Sequence, residues 1–211
     1  MSGYTITVAQ QKGGSGKTTL TANIAAELVA RGKRVALIDS DPQGSLGRWF
    51  MMRRERLGDT EGLEFATSSA WGVSYECDKL RRDHDFVFVD TPPKIDSDLK
   101  PALRASDLVV VPVATSHVDL WATESVLEMA DRLSKPVLLV LNRAAPRARL
   151  TEEMMTLLDE TGARRAQTVL GARVAYAEAM GEGLGVAERP RAATAATEIR
   201  RLADEVIAAL S

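Results

Sequence analysis

"YTITVAQQKGGSGKTTLTANIAAELVAR", residues 4–31, runs from a β-branched stretch through a glycine-rich loop into a helical pattern. A phosphate-binding loop reads G-x-x-x-x-G-K-[ST] and needs a strand before it and a helix after it. Gly16, Lys17 and Thr18 fit the end of that pattern, but Gln11 stands where its first glycine belongs, and Lys12 adds a second cation. Gly13, Gly14 and Gly16, with Ser15 among them, let backbone N–H groups turn inward around phosphate oxygens. The helix that begins near Lys17 adds the positive end of its dipole. Lys17 is placed to reach β- and γ-phosphates, Thr18 to offer a hydroxyl to Mg²⁺, and Thr19 to serve an α-phosphate. A glycine-rich turn with a chance Gly-Lys-Thr is the plainer alternative. The strand-loop-helix setting and the acids downstream weigh against it.

Outward from this stretch the chain alternates. Short apolar runs recur as "KRVALIDS", "DFVFVDT", "DLVVVPVA" and "KPVLLVLN". Helical patterns lie between and after them, at Val118–Leu133, Thr151–Glu160 and Ala193–Leu210 as well as Thr18–Arg31. Strands apolar on both faces are buried on both sides, and strands alternating with helices make βαβ units. The expected fold is therefore α/β: a mostly parallel twisted sheet with helices on both faces. Ligands in such folds bind at the C-terminal ends of strands. The polar residues converge there: Gln10 to Thr19, then Asp39 and Asp41, then Asp90 and Thr91, then Asn142 and Arg143. "ERPRAATAAT", residues 188–197, reads as the loosest segment.

Asp90 ends the strand "FVFV", the setting of an aspartate that holds Mg²⁺ through water. A strand-end aspartate is also a common turn former. "IDSDPQG" sets Asp39 and Asp41 at alternate positions of another strand end. One can approach the metal shell and the other can orient an attacking water. An Asp-Pro turn capping the next helix is compatible with both roles.

Composition narrows the class. The 211 residues suit one domain, 1–211, and 45% apolar with 27% charged residues permits a packed core. A net charge of −2 means that nucleic acid must be met by a local patch. Cys77 is the sole cysteine, which excludes an intrachain disulfide and the CxxC pattern of structural zinc. The bland reading is a thiol in a reducing cytosol. The N-terminus reads as a strand rather than a signal segment, and no apolar run is long enough to span a bilayer.

"KGGSGKTT", "VALIDSDPQGS", "FVFVDTPP", "VVVPV" and "VLNR" resemble, in order and spacing, the deviant Walker A ATPases of the ParA/MinD type. "RVAYAEAMGEGLGVAERPRAATAATEIRRLADEV" is similar to the C-terminal region of small ParA partition proteins. The resemblance implies a single-domain P-loop fold, ATP and Mg²⁺ as cofactors, and a weak ATPase activity stimulated by a partner. It implies that Lys12 crosses to the partner's phosphates in an ATP-bound homodimer, much as an arginine finger does. It gives Asp41 a part in hydrolysis, sets Asp39 and Asp90 with Thr18 at the metal, and puts adenine near Asn142 and Arg143. The chain starts at its first strand, so the small form without an N-terminal helix-turn-helix region is expected, and autoregulation is not.

Small ParA proteins bind nucleoid DNA without sequence preference, and a ParB-like or other cargo-bound activator releases them. The resemblance thus implies a cytoplasmic, nucleoid-associated protein that positions a plasmid, a chromosome or a large protein assembly. After Lys135 every cation is arginine. Arg189, Arg191, Arg200 and Arg201 lie closest to the family's basic patch, with Arg147, Arg149, Arg164, Arg165 and Arg173 as further candidates. Interspersed acids favour ordinary solvated surface for most of them. A MinD-like membrane cycle would need a C-terminal amphipathic helix with large apolar residues and basic flanks. "ATEIRRLADEVIAALS" carries Glu198, Asp204 and Glu205 and reads better as a core helix, so no membrane partner is expected. Among metabolic relatives, a nitrogenase-type reductase lacks its cluster cysteines here, and a dethiobiotin synthetase would need a substrate pocket that the sequence does not display.

Overall fold

The computed structural model describes residues 2–58, 60–93, 99–145 and 148–210. Strands β1 (Tyr4–Val8), β2 (Val35–Asp39), β3 (Leu63–Thr67), β4 (Phe86–Asp90), β5 (Leu108–Ala114), β6 (Val137–Asn142) and β7 (Arg164–Arg165) form one sheet in the order β3-β2-β4-β1-β5-β6-β7. Every pairing among them is parallel. The five strands read from the sequence are β1, β2, β4, β5 and β6. The two it does not signal are the outermost, where β3 has a half-exposed pattern and β7 is two residues long.

Helices α1 (Lys17–Ala30), α2 (Ser45–Leu57), α3 (Val73–Leu80), α4 (Leu99–Ala105), α5 (His117–Arg132), α6 (Arg149–Glu160), α7 (Val174–Gly181) and α8 (Ala193–Ala208) cover the sheet. Alternate residues of each strand point to opposite faces. Ile6, Val8, Leu37, Phe88, Val110 and Val140 pack with α1, α2, α7 and α8. Val109, Val111, Val113, Leu139 and Leu141 pack with α4, α5 and α6. Ala36, Ile38, Val87 and Val89 pack with α3 and α4. A crossover between parallel strands is right-handed, so helices that step one way across the sheet share a face. α1 and α2 step toward β3, α3 to α6 step toward β7, and the two groups fall on opposite faces as that rule requires.

Of residues 188–197, 189–192 form a turn, while Val186–Glu188 is a 3₁₀ turn and α8 starts at Ala193 as the pattern predicts. The sequence pattern passes over α2, α3, α4 and α7. α8 buries Ala195, Ala196, Ile199, Leu202, Ala203 and Val206 against the core, so it is the packed helix that its acids suggested. No helix among the described residues is long and apolar enough to cross a membrane.

Candidate functional site

Winding reverses across β1, because the chain leaves β1 for β2 on one side and returns past it from β4 to β5. Such a reversal opens a crevice at the C-terminal ends of the strands. The loop after β1 lies there, flanked by the ends of β4 and β5. Gly16 caps α1 with φ 100, a left-handed conformation that side chains disfavour, and a Cβ there would run into the Asn142 amide. Among the described residues no side chain caps α1, and its first turn has no acid. Its leading N–H groups therefore face the crevice as an anion site.

Lys17 is buried, and its Nζ donates to the Gln10 carbonyl at 3.0 Å. Burial lowers its pKa, while Asp90 and Asp41 pull it back up. Thr18 Oγ1 donates to Asp90 Oδ2 at 2.6 Å. Strand register sets Asp90 beside Asp39. Burial pushes the Asp90 carboxyl up to about 7, with the Thr18 hydroxyl opposing and the Asp39 charge adding to the rise. Asp90 Oδ1 and Ser15 Oγ are buried and find no hydrogen-bond partner among the described residues. An orphaned carboxylate oxygen next to a threonine hydroxyl is a donor set for a hard divalent cation. Asp39 accepts the Asp41 N–H at 3.1 Å on Oδ1 and the Gly47 N–H at 3.0 Å on Oδ2. Burial raises its pKa and those backbone donors lower it. Asp41 is half-buried and accepts the Gln43 N–H at 2.9 Å. The turn and capping functions are thus divided: Asp41 closes the Asp-Pro turn and Asp39 holds the start of α2.

Asn142 Nδ2 donates to the Ser15 carbonyl at 2.8 Å, and its Oδ1 accepts the Arg143 N–H at 2.9 Å. Beside the loop lies a cavity of about 380 Å³ lined by Gly16, Thr19, Asn142, Arg143, Arg173 and Tyr176. The fold brings Gly13–Thr19, Asp39, Asp41, Asp90, Asn142 and Arg143 to one end of the sheet.

Lys12 behaves differently from Lys17. Its Nζ meets Asp119 Oδ2 of the same chain at 2.5 Å, with Lys12 38% exposed and Asp119 4%. Ser116, the N-cap of α5, donates its hydroxyl to the same oxygen. Asp119 is a residue the sequence reading missed, although Ser116-x-x-Asp119 has the spacing of a capping box. Gln10 stands at the strand end that the sequence marks, but its contacts are not legible there. Its Nε2 donates to Thr123 Oγ1 at 3.0 Å and to the Pro112 carbonyl at 3.2 Å, tying the loop to α5 and β5. Asn23, a buried polar residue in an apolar helix, is a second missed residue, and that contrast is its signal.

The arginines expected at DNA do not form one free patch. Arg189 donates to Glu178 at 2.5 Å and Glu182 at 2.9 Å, and Arg200 lies 3.8 Å from Glu27. Arg165 pairs with Asp159 and Arg173 with Glu198. Arg191, Arg201, Arg149 and Arg164 are exposed with no ion pair among the described residues. Arg147 lies outside the described residues.

A sheet of this order, with an anion loop after its central strand and carboxylates at the ends of the next two strands on one side, defines a nucleotide-binding α/β protein. Residues 6–186 match the CobQ/CobB/MinD/ParA nucleotide binding domain, and the chain belongs to that family. It is 36% identical over 211 residues to Maintenance of carboxysome distribution protein A of Halothiobacillus neapolitanus, covering 97% of this chain and 96% of that one. It is 32% identical over 243 residues to the Chromosome-partitioning ATPase Soj of Thermus thermophilus, covering 96% and 95%. The fold matches that of the septum site-determining protein MinD of Pyrococcus horikoshii, solved with Mg-ADP, at a TM-score of 0.81 and 20% identity, covering 96% and 95%.

Proposed function

We propose that this chain is an ATPase that dimerises on ATP, binds nucleoid DNA without sequence preference and positions a cargo. A ParB-like or other cargo-bound partner stimulates hydrolysis and ends each cycle. The observation that carries the reading is Lys12, a loop cation held by Asp119 at the rim while Lys17 occupies the inner position.

The loop from Gly13 to Thr19 and the start of α1 hold the phosphates of ATP, and Lys17 moves from the Gln10 carbonyl to the β- and γ-phosphates. Thr18 and Asp90 hold Mg²⁺, with Asp39 near its shell. When bound, the ion neutralises charge that develops on the γ-phosphate. Asp41 orients the attacking water, and Asn142 and Arg143 flank the adenine cavity. Lys12 exchanges Asp119 for the partner copy's phosphates, so ATP becomes part of the subunit contact and its hydrolysis loosens that contact. The relatives named for carboxysome distribution and chromosome partitioning support a protein assembly or a DNA molecule as cargo.

Pelleting with DNA and with anionic liposomes, each in ATP and in ADP, tests the reading. DNA is expected to carry the protein down in ATP and not in ADP. Pelleting with liposomes alone overturns the DNA reading in favour of a membrane cycle, which the burial of α8 argues against.

A further inference from the structure

We propose that Arg53 is a positioning residue for hydrolysis, acting through Glu188 to fix α2, the helix that follows Asp39 and Asp41. The inference rests on the ATPase reading above. Arg53, on α2, is only 5% exposed. Its Nη1 and Nη2 donate to Glu188 Oε2 and Oε1, each at 2.7 Å, and Nη1 also donates to the Gly183 carbonyl at 3.3 Å. The guanidinium lies 5.5 Å from the centre of the Trp49 ring, and Trp49 Nε1 donates to the Leu184 carbonyl at 3.2 Å. α2 is thereby bolted to residues 183–188.

That segment is bolted in turn to the phosphate loop. The Val186 N–H donates to Asn23 Oδ1 at 2.8 Å, and Asn23 Nδ2 donates to the Thr19 carbonyl at 2.8 Å. It also follows α7, which contributes Val174 and Tyr176 to the cavity beside the loop. At the other end of α2, Asp39 accepts the N–H groups of Asp41 and Gly47. One connected block therefore runs from the cavity wall and Thr19, through Glu188 and Arg53, down α2 to the two carboxylates.

Stability alone is a poor reason for this pair, because a buried ion pair adds little over an apolar replacement. What a bidentate arginine–carboxylate fork adds is orientation. Asp39 ends β2 and holds α2 through the Gly47 N–H, and Asp41 lies in the short connection between them, so a tilt of α2 shifts Asp41 and pulls on Asp39. A lysine keeps the charge and loses the fork.

The test compares the parent with Arg53→Lys and Glu188→Gln in single-turnover ATP hydrolysis, nucleotide affinity by calorimetry, and thermal melting. The expected result is a hydrolysis rate lowered about tenfold, since small misplacements of reacting groups cost rate steeply, with nucleotide affinity changed less than about twofold. Should Arg53→Lys fail to fold, Glu188→Gln, which keeps shape and one acceptor oxygen, carries the comparison. Unchanged hydrolysis with a lowered melting point makes the pair a structural strut and overturns the inference. Affinity and rate falling together overturns it as well, placing Arg53 with the cavity wall instead. A parent that hydrolyses no ATP overturns the ATPase reading itself, whereas a parent that turns over like its variants overturns only this inference.

Discussion

Lys12 and Lys17 share one loop and are held in opposite ways. Lys17 is buried on a carbonyl, a neutral partner that a phosphate readily outcompetes. Removing it deletes charge-assisted contacts worth about 1.5–3 kcal/mol. Lys17→Ala should therefore weaken nucleotide binding about 10- to 100-fold by calorimetry. Unchanged affinity would take Lys17 out of the site. Lys12 is half-exposed and paired with a buried carboxylate, a contact it must leave to act on another copy. Cys77 is a residue of the other kind, with no part in the chemistry. Burial pushes its thiol up to about 12, so the thiolate that reacts is scarce at pH 8 and grows only as pH approaches that value. Thiol reagents should label the native protein slowly at pH 8 and the unfolded protein at once. Rapid native labelling would contradict the burial of α3.

At the scale of elements, the central strands and the loop were legible and the margins were not. β2, β4, β5 and β6 are apolar on both faces, and β1 alternates apolar residues with the buried Thr5 and Thr7, which leaves a continuous signature of buried strands. β3 is an edge strand whose half-exposed residues dilute that signature, and β7 is too short to leave one. α2 hides behind "RRER", because its buried residues are few and include Arg53. The loop residues and strand-end acids were readable, since their spacing is local. The Lys12–Asp119 contact, the bonds of Gln10 and the Arg53–Glu188 pair join distant segments, which no local pattern records. Gly183 shows how closely two such segments meet. Its φ is 69, and a Cβ there would fall on the backbone of Met52 and Arg53. Overpacking with a strained backbone costs about 3 kcal/mol. Gly183→Ala should lower the melting temperature by roughly 6–12 °C for a chain of this size. A melting point within a degree of the parent would show that α2 and residues 183–188 are not in register as described.

For the whole molecule, a net charge of −2 means that the proposed DNA binding needs a local patch, which the proposed dimer would double. Each neutralised phosphate contributes about 0.9 to the slope of log K against log salt, so the ATP form should show the steeper salt dependence. The ion pairs divide the arginines. Arg191→Glu with Arg201→Glu should abolish DNA binding in a filter or anisotropy assay and leave folding intact. Arg189→Glu instead sets a third carboxylate against Glu178 and Glu182 and should lower the melting temperature. If the Arg191 and Arg201 pair binds DNA like the parent, the patch lies elsewhere, with exposed Arg149 and Arg164 next in line.

The most direct measurement is sedimentation velocity with Mg²⁺ and ATP on Asp41→Ala and on Asp41→Ala combined with Lys12→Ala. Losing Asp41 should spare nucleotide binding, slow hydrolysis and trap the dimer, while further loss of Lys12 should leave a nucleotide-bound monomer. A double variant that dimerises as the single one does would show that Lys12 is only another loop cation and would contradict the account.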